Sequence, residues 1–289
     1  VSLVVTTPES GHRLLRVLSR VVLVAILAWL GLAAFIALGQ QSMIYYPSRD
    51  TEANLDKECA GVGLEPWLDE DNKRIGYAAR AVADDPRPRV SVLLCHGNAG
   101  YAVHRAVWIS LIRAAAPDNA VSVYILEYPG YGAREGSPSQ KANIAAAEKA
   151  LATLPGNAPI VGFGESIGTG VISALAAKQP SHLAGLVLVT PFDSLAAVAQ
   201  HHYPLLPVSW LMRDKYPSEH WLRDYRGPVA FIVAGRDQVT PPERAETLYK
   251  AYQGPKKMFT APEADHNDVL TDLPLDEWRQ AFAFALRRF

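Results

Sequence analysis

The stretch GFGESIGTG, residues 162–170, places one serine, Ser166, among four glycines directly after an apolar run. Residues 159–163 have the pattern of a buried strand, and residues 167–178 have the pattern of a helix. A Gly-x-Ser-x-Gly motif between a strand and a helix can hold a nucleophilic serine on a sharp turn, beside the amides of the helix N-terminus. A serine that only caps the helix fits the motif equally well. The rest of the chain has to distinguish these two interpretations.

The surrounding sequence alternates short apolar runs with helical patterns. The predicted strands are Arg89–Cys95, 121–127, 159–163, Leu183–Val189 and 228–234, with further candidates at 62–68 and 74–82. The predicted helices are 101–113, 139–154, 167–178, 242–252 and 275–288. The strands are apolar without strict alternation, which is typical of parallel strands covered on both faces. The pattern therefore predicts an α/β fold in which helices cover both faces of one mostly parallel sheet.

Catalysis by Ser166 requires a base and an acid that orients it, because a serine hydroxyl is a weak nucleophile. Asp237, in AGRDQVTPP, and His266, in APEADHND, both come directly after apolar runs and follow the serine in the order Ser, Asp, His. Taken alone, Asp237 fits an ordinary turn and His266 fits a solvated acidic loop. Their joint position favours a Ser166–His266–Asp237 triad. Asp193, in TPFDSL, also follows a strand and is the alternative acid.

The loop after the first of these strands, LLCHGNAG at residues 93–100, is the expected source of a second oxyanion donor. The main-chain N–H of Asn98 is the first choice for that donor, and Ala99 is the next. The N–H of Ile167, directly after the serine, is its expected partner. His96 precedes the loop glycine, which favours a structural role in orienting the loop over a role as a second base.

Residues 21–39, VVLVAILAWLGLAAFIALG, contain no charge, hydroxyl or amide side chain. As a helix this segment is about 28 Å long, close to the hydrocarbon thickness of a bilayer, so we predict a membrane anchor. Arg13, Arg16 and Arg20 precede it, whereas only Arg49 follows closely. The positive-inside rule then places the N-terminus in the cytoplasm and the remainder outside, in the periplasm or a lumen.

This prediction divides the chain into four parts: a cytoplasmic tail (1–20), a transmembrane anchor (21–39), a connecting segment (40–60) and one folded domain (61–289). Tyr45 and Tyr46 fit an aromatic belt at the membrane surface. A cleavable signal peptide is the alternative, because the residues at 37–39 resemble a small-x-small cleavage site. The apolar run is longer than is usual in signal peptides, which favours the uncleaved anchor.

Composition excludes several classes of function. The 289 residues carry 28 basic and 29 acidic side chains, so no strong positive field indicates a nucleic-acid partner. Cys59 and Cys95 are too few for a disulfide framework or a zinc site. We expect Cys95 to be a buried thiol and Cys59 to lie in a polar loop. His201 and His202 have no third ligand at a metal-binding spacing, and we expect neither a metal nor a cofactor.

The ordered motifs MIYYPSR, CHGNAG, EYPGYGAREGSPSQ, GFGESIGTG, TPFDSL, AGRDQVTPP and ADHND, after an apolar anchor, resemble the alpha/beta-hydrolase fold. More narrowly, the chain resembles single-pass, membrane-anchored serine hydrolases that include mammalian depalmitoylase-type proteins and bacterial relatives. The resemblance implies an eight-stranded, mostly parallel sheet and the triad of Ser166, Asp237 and His266. It also implies no cofactor. The triad and the anchor together favour an acyl ester, thioester or lipid-like substrate. Glu127 departs from the aspartate that the family more often has there, with little expected consequence.

Two other functions remain compatible with these residues. A peptidase or amidase uses the same triad, and a non-catalytic binding protein could retain the fold. Residues 201–221, which are aromatic and broken by prolines, lie where hydrolases insert a lid, so we predict a short lid. Leu205, Leu206, Trp210 and Leu211 of this lid either contact an acyl chain or pack on the sheet, and packing is the expected role for most of them. Nothing in the sequence indicates an oligomeric state.

Overall fold

The computed structural model of the protein describes residues 8–156 and 158–287. Ten strands lie within these residues. In chain order they are β1 (Tyr46–Pro47), β2 (Glu65–Leu68), β3 (Arg74–Ala79), β4 (Arg89–Cys95), β5 (Ala99–Gly100), β6 (Ala120–Leu126), β7 (Ile160–Glu165), β8 (Leu183–Val189), β9 (Val229–Ala234) and β10 (Lys256–Ala261).

Eight of these strands form one sheet in the order β10-β9-β8-β7-β4-β6-β3-β2. Every neighbouring pair from β10 to β6 is parallel, and β3 alone runs antiparallel to its neighbours β6 and β2. The predicted eight-stranded, mostly parallel sheet is therefore confirmed. The remaining strands, β1 and β5, form a separate two-stranded pair that places Tyr46 opposite Ala99.

Eleven α-helices lie in the same residues, with one 3₁₀ turn at Ala102–Ala106. In chain order they are α1 (Pro8–Ile44), α2 (Glu52–Gly61), α3 (Val107–Ala115), α4 (Gln140–Ala152), α5 (Ile167–Ala177), α6 (Leu195–His202), α7 (Val208–Leu211), α8 (Ser218–Leu222), α9 (Pro242–Ala251), α10 (Val269–Asp272) and α11 (Leu275–Ala285). The last residue of the helix predicted at 275–288 lies outside the described residues.

Helices cover both faces of the sheet, as two adjacent residues of β7 show. A Cβ atom added at Gly162 would lie 2.9 Å from the side chain of Ile172 on α5. The ring of Phe163 lies 5.1 Å from that of Trp108 on α3 and 6.4 Å from that of Trp278 on α11. Successive side chains of a strand point to opposite faces, so α5 lies on one face and α3 with α11 on the other.

The N-terminal helix α1 is longer than the apolar run that predicted it. Its part His12–Ile44 is long and apolar enough to cross a membrane and is mostly exposed. The helical residues before position 21 belong to the segment predicted as a tail, of which residues 1–7 lie outside the described part of the chain. At 1.5 Å per residue the 37-residue helix is about 55 Å long, which exceeds the roughly 30 Å hydrocarbon core of a bilayer.

The end of α1 is packed into the folded domain rather than linked loosely to it. Gln40 is buried, and its side-chain amide donates to Leu211 O at 3.2 Å and accepts from Arg213 N at 2.7 Å. Tyr45, just after the helix, is also buried and donates to Asp214 Oδ2 at 2.8 Å. Burial raises the pKa of the Tyr45 phenol far above its usual value. The aromatic-belt prediction is therefore wrong for Tyr45, whereas Tyr46 is exposed.

The segment at 40–60, predicted as a connection, contributes to the core through α2. Leu55 and Cys59 on this helix are both fully buried. The expectation that Cys59 lies in a polar loop is wrong, because the helix turns its thiol inward, and burial raises the pKa of that thiol to about 11. Cys95 is buried as expected, and the two cysteines are not paired with each other.

The helix α5 approaches the sheet so closely that only glycine fits at two positions beside Ser166. A Cβ atom added at Gly168 would lie 2.0 Å from the carbonyl oxygen of Cys95 on β4. A Cβ atom at Gly164 would lie 2.6 Å from Cα of Thr169 on α5. Real Cβ atoms do not come this close to backbone atoms, so the two glycines allow the helix and the strands to touch backbone to backbone.

We predict that Gly168→Ala destabilises the domain, because the added methyl group meets main chain that cannot rotate away. The free energy of unfolding should fall by about 1–3 kcal/mol or more, as for other overpacked sites, and circular dichroism during heating would measure the change. Gly61→Ala, at the end of α2, is the matched control, since a Cβ there meets no atom within 4 Å. Equal melting temperatures for the two variants would contradict the prediction.

Candidate active site

The candidate site lies at the point in the sheet where successive strands begin to be added on the opposite side. From β4 the chain passes to β6 on one side, and it then crosses to β7 on the other side and continues outward to β10. In open parallel sheets, ligands bind at such a switch point, at the carboxyl ends of the strands. The loop after β4 contains residues 96–100, and Ser166 follows β7 directly, so both candidate motifs lie at this point.

Ser166 occupies a strained turn between β7 and α5. Its backbone has φ 52° and ψ −119°, a left-handed conformation that is uncommon for a residue other than glycine. The main-chain N–H of Ser166 donates to Val189 O of β8 at 2.9 Å, and the residue is half-buried. Its side chain makes no capping hydrogen bond to α5. The helix-capping interpretation of the motif is therefore wrong, and the strain is of the kind found at functional sites.

The structure brings Ser166, His266 and Asp237 into one hydrogen-bonded chain. His266 Nε2 lies 3.0 Å from Ser166 Oγ, and His266 Nδ1 lies 2.6 Å from Asp237 Oδ2. The carboxylate side of the imidazole and the serine side are thus bonded through different ring nitrogens. This is the geometry in which Nδ1 can donate to Asp237 while Nε2 accepts from the serine hydroxyl.

The carboxylate of Asp237 is held in place by the turn that contains it. Its Oδ1 accepts the main-chain N–H groups of Val239 at 2.8 Å and Thr240 at 2.7 Å, which leaves Oδ2 directed at the histidine. The carboxylate is almost fully buried, whereas Asp265 and Asp268 beside His266 are exposed. The residues around His266 thus form the solvated acidic loop of the alternative interpretation, but the side chain of His266 itself points into the protein.

Asp193, the alternative acid, lies apart from the histidine. Its Oδ2 lies 3.4 Å from Nη1 of Arg244, and no hydrogen bond joins it to His266 in the described residues. Burial raises the pKa of the Asp193 carboxyl above its usual value. Of the two candidate acids, Asp237 is the one that contacts the imidazole.

The loop at residues 96–100 is attached to the end of α1. Asn98 donates from its side-chain amide to the Ile44 carbonyl at 2.9 Å, which satisfies one of the carbonyl groups left open at the helix end. The Asn98 carbonyl accepts from Tyr46 N at 3.0 Å and from the Tyr131 hydroxyl at 2.7 Å. Three contacts therefore fix the position of Asn98, and two of them come from the N-terminal segment.

His96 and Glu127 form a buried pair beneath the loop. His96 Nδ1 lies 2.7 Å from Gly97 O, and its Nε2 lies 3.6 Å from Glu127 Oε1. Glu127 Oε1 also accepts the main-chain N–H of Ala102 at 3.1 Å. These contacts place His96 away from Ser166, in the supporting position expected for it. Glu127 thus contacts both His96 and the main chain of Ala102. We expected little consequence from a glutamate in place of the family's aspartate, but this glutamate helps to hold the loop.

An ion pair that the sequence did not reveal connects the two halves of the site. Arg105 Nε lies 2.6 Å from Glu165 Oε2, directly before Ser166, and Arg105 Nη2 donates to Ala99 O at 3.0 Å. The arginine thereby joins the loop after β4 to the turn after β7. No spacing in the sequence pairs these residues, which are 60 positions apart.

A cavity of about 560 Å³ opens above Ser166 and is mostly apolar. Its lining comes from three parts of the chain. These are the end of α1 with β1, the residues at the ends of β4, β7 and β8, and the segment from α6 to Thr240. The residues are Ile36, Gln40, Met43, Ile44, Tyr46, Asn98, Ser166, Ile167, Phe192, Leu195, Val198, Ala199, His202, Tyr203, Val208, Met212, Gln238, Val239 and Thr240. Asn98 and Ile167, the predicted oxyanion donors, thus face the same space as the serine.

The lid at 201–221 packs differently from the prediction. Leu206 is buried with Val208 and Met212 in a small apolar cluster that packs on Ile36 and Ile44 of α1. Leu205 and Trp210 are exposed by 90% and 87%. The expectation that most of these four side chains pack on the sheet is therefore wrong, because two of them are exposed and Leu206 packs on α1.

Comparison with known proteins agrees with this architecture. The family described as alpha/beta hydrolase fold matches residues 90–212. An uncharacterized protein of Mycobacterium tuberculosis, Rv2307c, is 34% identical over 262 residues, which cover 88% of this chain and 89% of that protein. An uncharacterized membrane protein of Saccharomyces cerevisiae, YNL320W, is 26% identical over 244 residues, covering 80% and 84% of the two chains.

Among solved structures, an esterase from Pyrococcus furiosus has the same fold. It superimposes with a TM-score of 0.59 at 16% identity, covering 85% of this chain and 98% of the esterase. At this identity the similarity concerns the fold alone. The matched family and the 34%-identical relative from Mycobacterium tuberculosis, together with the sheet order, show that the chain belongs to the alpha/beta-hydrolase family.

Proposed function

We propose that the protein is a membrane-anchored serine hydrolase that cleaves carboxylic esters or thioesters. The observation that carries this proposal is the hydrogen-bonded chain from Ser166 Oγ through His266 to Asp237, with distances of 3.0 and 2.6 Å, at the floor of an apolar cavity. The apolar lining favours a substrate with an acyl chain over a peptide, because a buried peptide backbone would need hydrogen-bond partners.

The proposed reaction proceeds through an acyl-enzyme. Ser166 Oγ attacks the acyl carbonyl carbon while His266 Nε2 takes the hydroxyl proton and then delivers it to the departing alkoxide or thiolate. Asp237 stabilises the imidazolium and fixes its tautomer. A water molecule then attacks the acyl-serine, losing a proton to His266, and the carboxylic acid leaves as Ser166 regains its hydrogen.

The oxyanion of both tetrahedral intermediates needs donors that are in place beforehand. We assign this role to the main-chain N–H groups of Asn98 and Ile167. Ile167 begins α5, so its amide belongs to the positive end of the helix dipole. The three hydrogen bonds of Asn98 and the link through Arg105 keep the loop from moving as charge develops.

For the location of the protein we propose a single membrane span with the N-terminus in the cytoplasm and the catalytic domain on the other side. Arg13, Arg16 and Arg20 precede the apolar stretch, and Arg49 is the next arginine after it. The buried hydrogen bonds of Gln40 support an uncleaved helix, because cleavage near residue 39 would leave a free terminus inside the folded domain.

The nucleophile is tested by covalent labelling. We expect a fluorophosphonate probe to label the purified full chain, and Ser166→Ala to abolish both the labelling and the hydrolysis of p-nitrophenyl butyrate. Ser137→Ala, at an exposed serine outside the cavity, is the control and should keep both. A folded wild-type protein that takes no label, or a Ser166→Ala variant that still takes it, would refute the proposal.

The acid is tested by two matched substitutions. In Asp237→Asn the remaining oxygen can still accept the amides of Val239 and Thr240, but the new NH₂ group cannot accept the proton of His266 Nδ1. We therefore expect kcat to fall by about 10³–10⁴-fold with little change in stability. Asp193→Asn should reduce kcat far less, because the Asp193 carboxylate contacts Arg244 and makes no hydrogen bond to His266 in the described residues. The reverse ranking in a kinetic assay would transfer the role to Asp193.

The orientation is tested with reporters fused after Phe289 in a bacterial host. Alkaline phosphatase, which requires the periplasm to fold, should be active in this fusion. Green fluorescent protein fused at the same position should not fluoresce, because it would be carried across the membrane with the catalytic domain. A bright fluorescent fusion with an inactive phosphatase fusion would place the catalytic domain in the cytoplasm.

A further inference from the structure

The cavity above Ser166 has one wall made by the membrane-spanning helix. Ile36, Gln40, Met43 and Ile44 all line it. Their spacing of four, three and one places them on a single face of α1. Ile36 lies within the uncharged stretch at 21–39, whereas Ile44 is adjacent to the loop that contains Asn98. One continuous helix face therefore runs from the last turn of the apolar stretch to the loop that contains Asn98.

The opposite wall is formed by the lid, and hydrogen bonds of the Gln40 side chain connect the lid to the helix. The Gln40 amide bonds Leu211 O and Arg213 N, on either side of Met212, which also lines the cavity. Gln40 is the first polar residue after the apolar stretch. Because both ends of its side chain are bonded to lid backbone, the lid and the helix enclose the cavity together.

The outer surface of the lid is suited to a lipid surface. Leu205 and Trp210 are almost fully exposed, and α7, which contains Trp210, packs against α1. Arg213 and Lys215 are exposed nearby. Apolar side chains with tryptophan and adjacent cations are typical of protein surfaces at the bilayer interface. This surface continues the apolar surface of a helix that itself spans the membrane.

We propose that α1 is the acyl-binding wall of the site and that the acyl chain enters directly from the bilayer, between α1 and the lid. Ile36 and Met43 then determine the chain length that the enzyme accepts. This inference rests on the proposed hydrolase function and specifies its substrate as an ester or thioester of a bilayer-embedded long acyl chain. Met43 precedes Ile44, whose carbonyl bonds the Asn98 side chain, and Ile36 lies about 10 Å from Met43 along the helix axis, given a rise of 1.5 Å per residue.

The test measures kcat/KM of the full chain in lipid nanodiscs for p-nitrophenyl acetate, octanoate and palmitate. Met43→Trp should lower the values for octanoate and palmitate by about 10-fold or more, whereas Ile36→Trp should lower the value for palmitate alone. Each value is expressed as a ratio to the acetate value of the same variant, since a two-carbon acyl group does not extend along the helix. Leu38→Trp is the matched control, because Leu38 lies on the same helix outside the cavity and is 79% exposed.

The outcomes separate this inference from the function on which it rests. If Ser166→Ala retains acetate hydrolysis, the hydrolase proposal is wrong. If acetate hydrolysis depends on Ser166 but the three tryptophan variants share one chain-length profile, the hydrolase proposal remains and the acyl-binding wall is refuted. Nanodiscs that contain either a long-chain acylglycerol or an S-acylated peptide then distinguish the two sources of the chain. Hydrolysis of either supports the inference, and hydrolysis of neither by an esterase-active protein overturns it.

Discussion

The backbone contact between α5 and the strands β4 and β7 is the constraint on which the site depends. Gly168 brings α5 against the Cys95 carbonyl, and Gly164 brings β7 against Thr169. Between these two close contacts Ser166 has a positive φ, and its hydroxyl makes no bond to the helix and lies 3.0 Å from His266 Nε2. Packing in the surrounding core offsets the energetic cost of this strained conformation.

The same contact sets the geometry of the loop after β4. Cys95 is the last residue of that strand, so the position of α5 against it also fixes where residues 96–100 begin. Arg105 then joins this loop to Glu165, and the His96–Glu127 pair supports it from below. The proposed nucleophile and the proposed oxyanion donors are thus parts of one rigid unit. Such rigidity is what electrostatic stabilisation of a developing charge requires.

The N-terminal helix has a larger role than that of an anchor. Its terminal carbonyl at Ile44 is capped by Asn98, and its Gln40 holds the lid backbone. The loop that the proposed mechanism uses and the lid that covers the cavity are both attached to it. An apolar helix that only tethered the protein would need neither contact. The arrangement makes the end of the apolar helix part of the candidate site.

Local patterns in the sequence determined much of the fold. Short apolar runs predicted the strands of the sheet, and the glycines around Ser166 predicted the sharp turn, because periodicity and glycine content act on the backbone within a few residues. The chain order and the strand-end positions of Asp237 and His266 predicted their approach to Ser166, since parallel strands end at one edge of the sheet.

Only the tertiary structure decided which side chains meet across long stretches of chain. Neither spacing nor composition indicated the ion pair of Arg105 with Glu165 or the burial of Cys59 and Tyr45. The same holds for the hydrogen bonds of Gln40 to lid residues 171 and 173 positions away. The apolar run at 21–39 satisfied every requirement of a simple span, so nothing local revealed that Ile36 and the helical residues after the run line the cavity. Such contacts depend on how separate elements pack in space, and packing is a property of the whole fold rather than of any one segment.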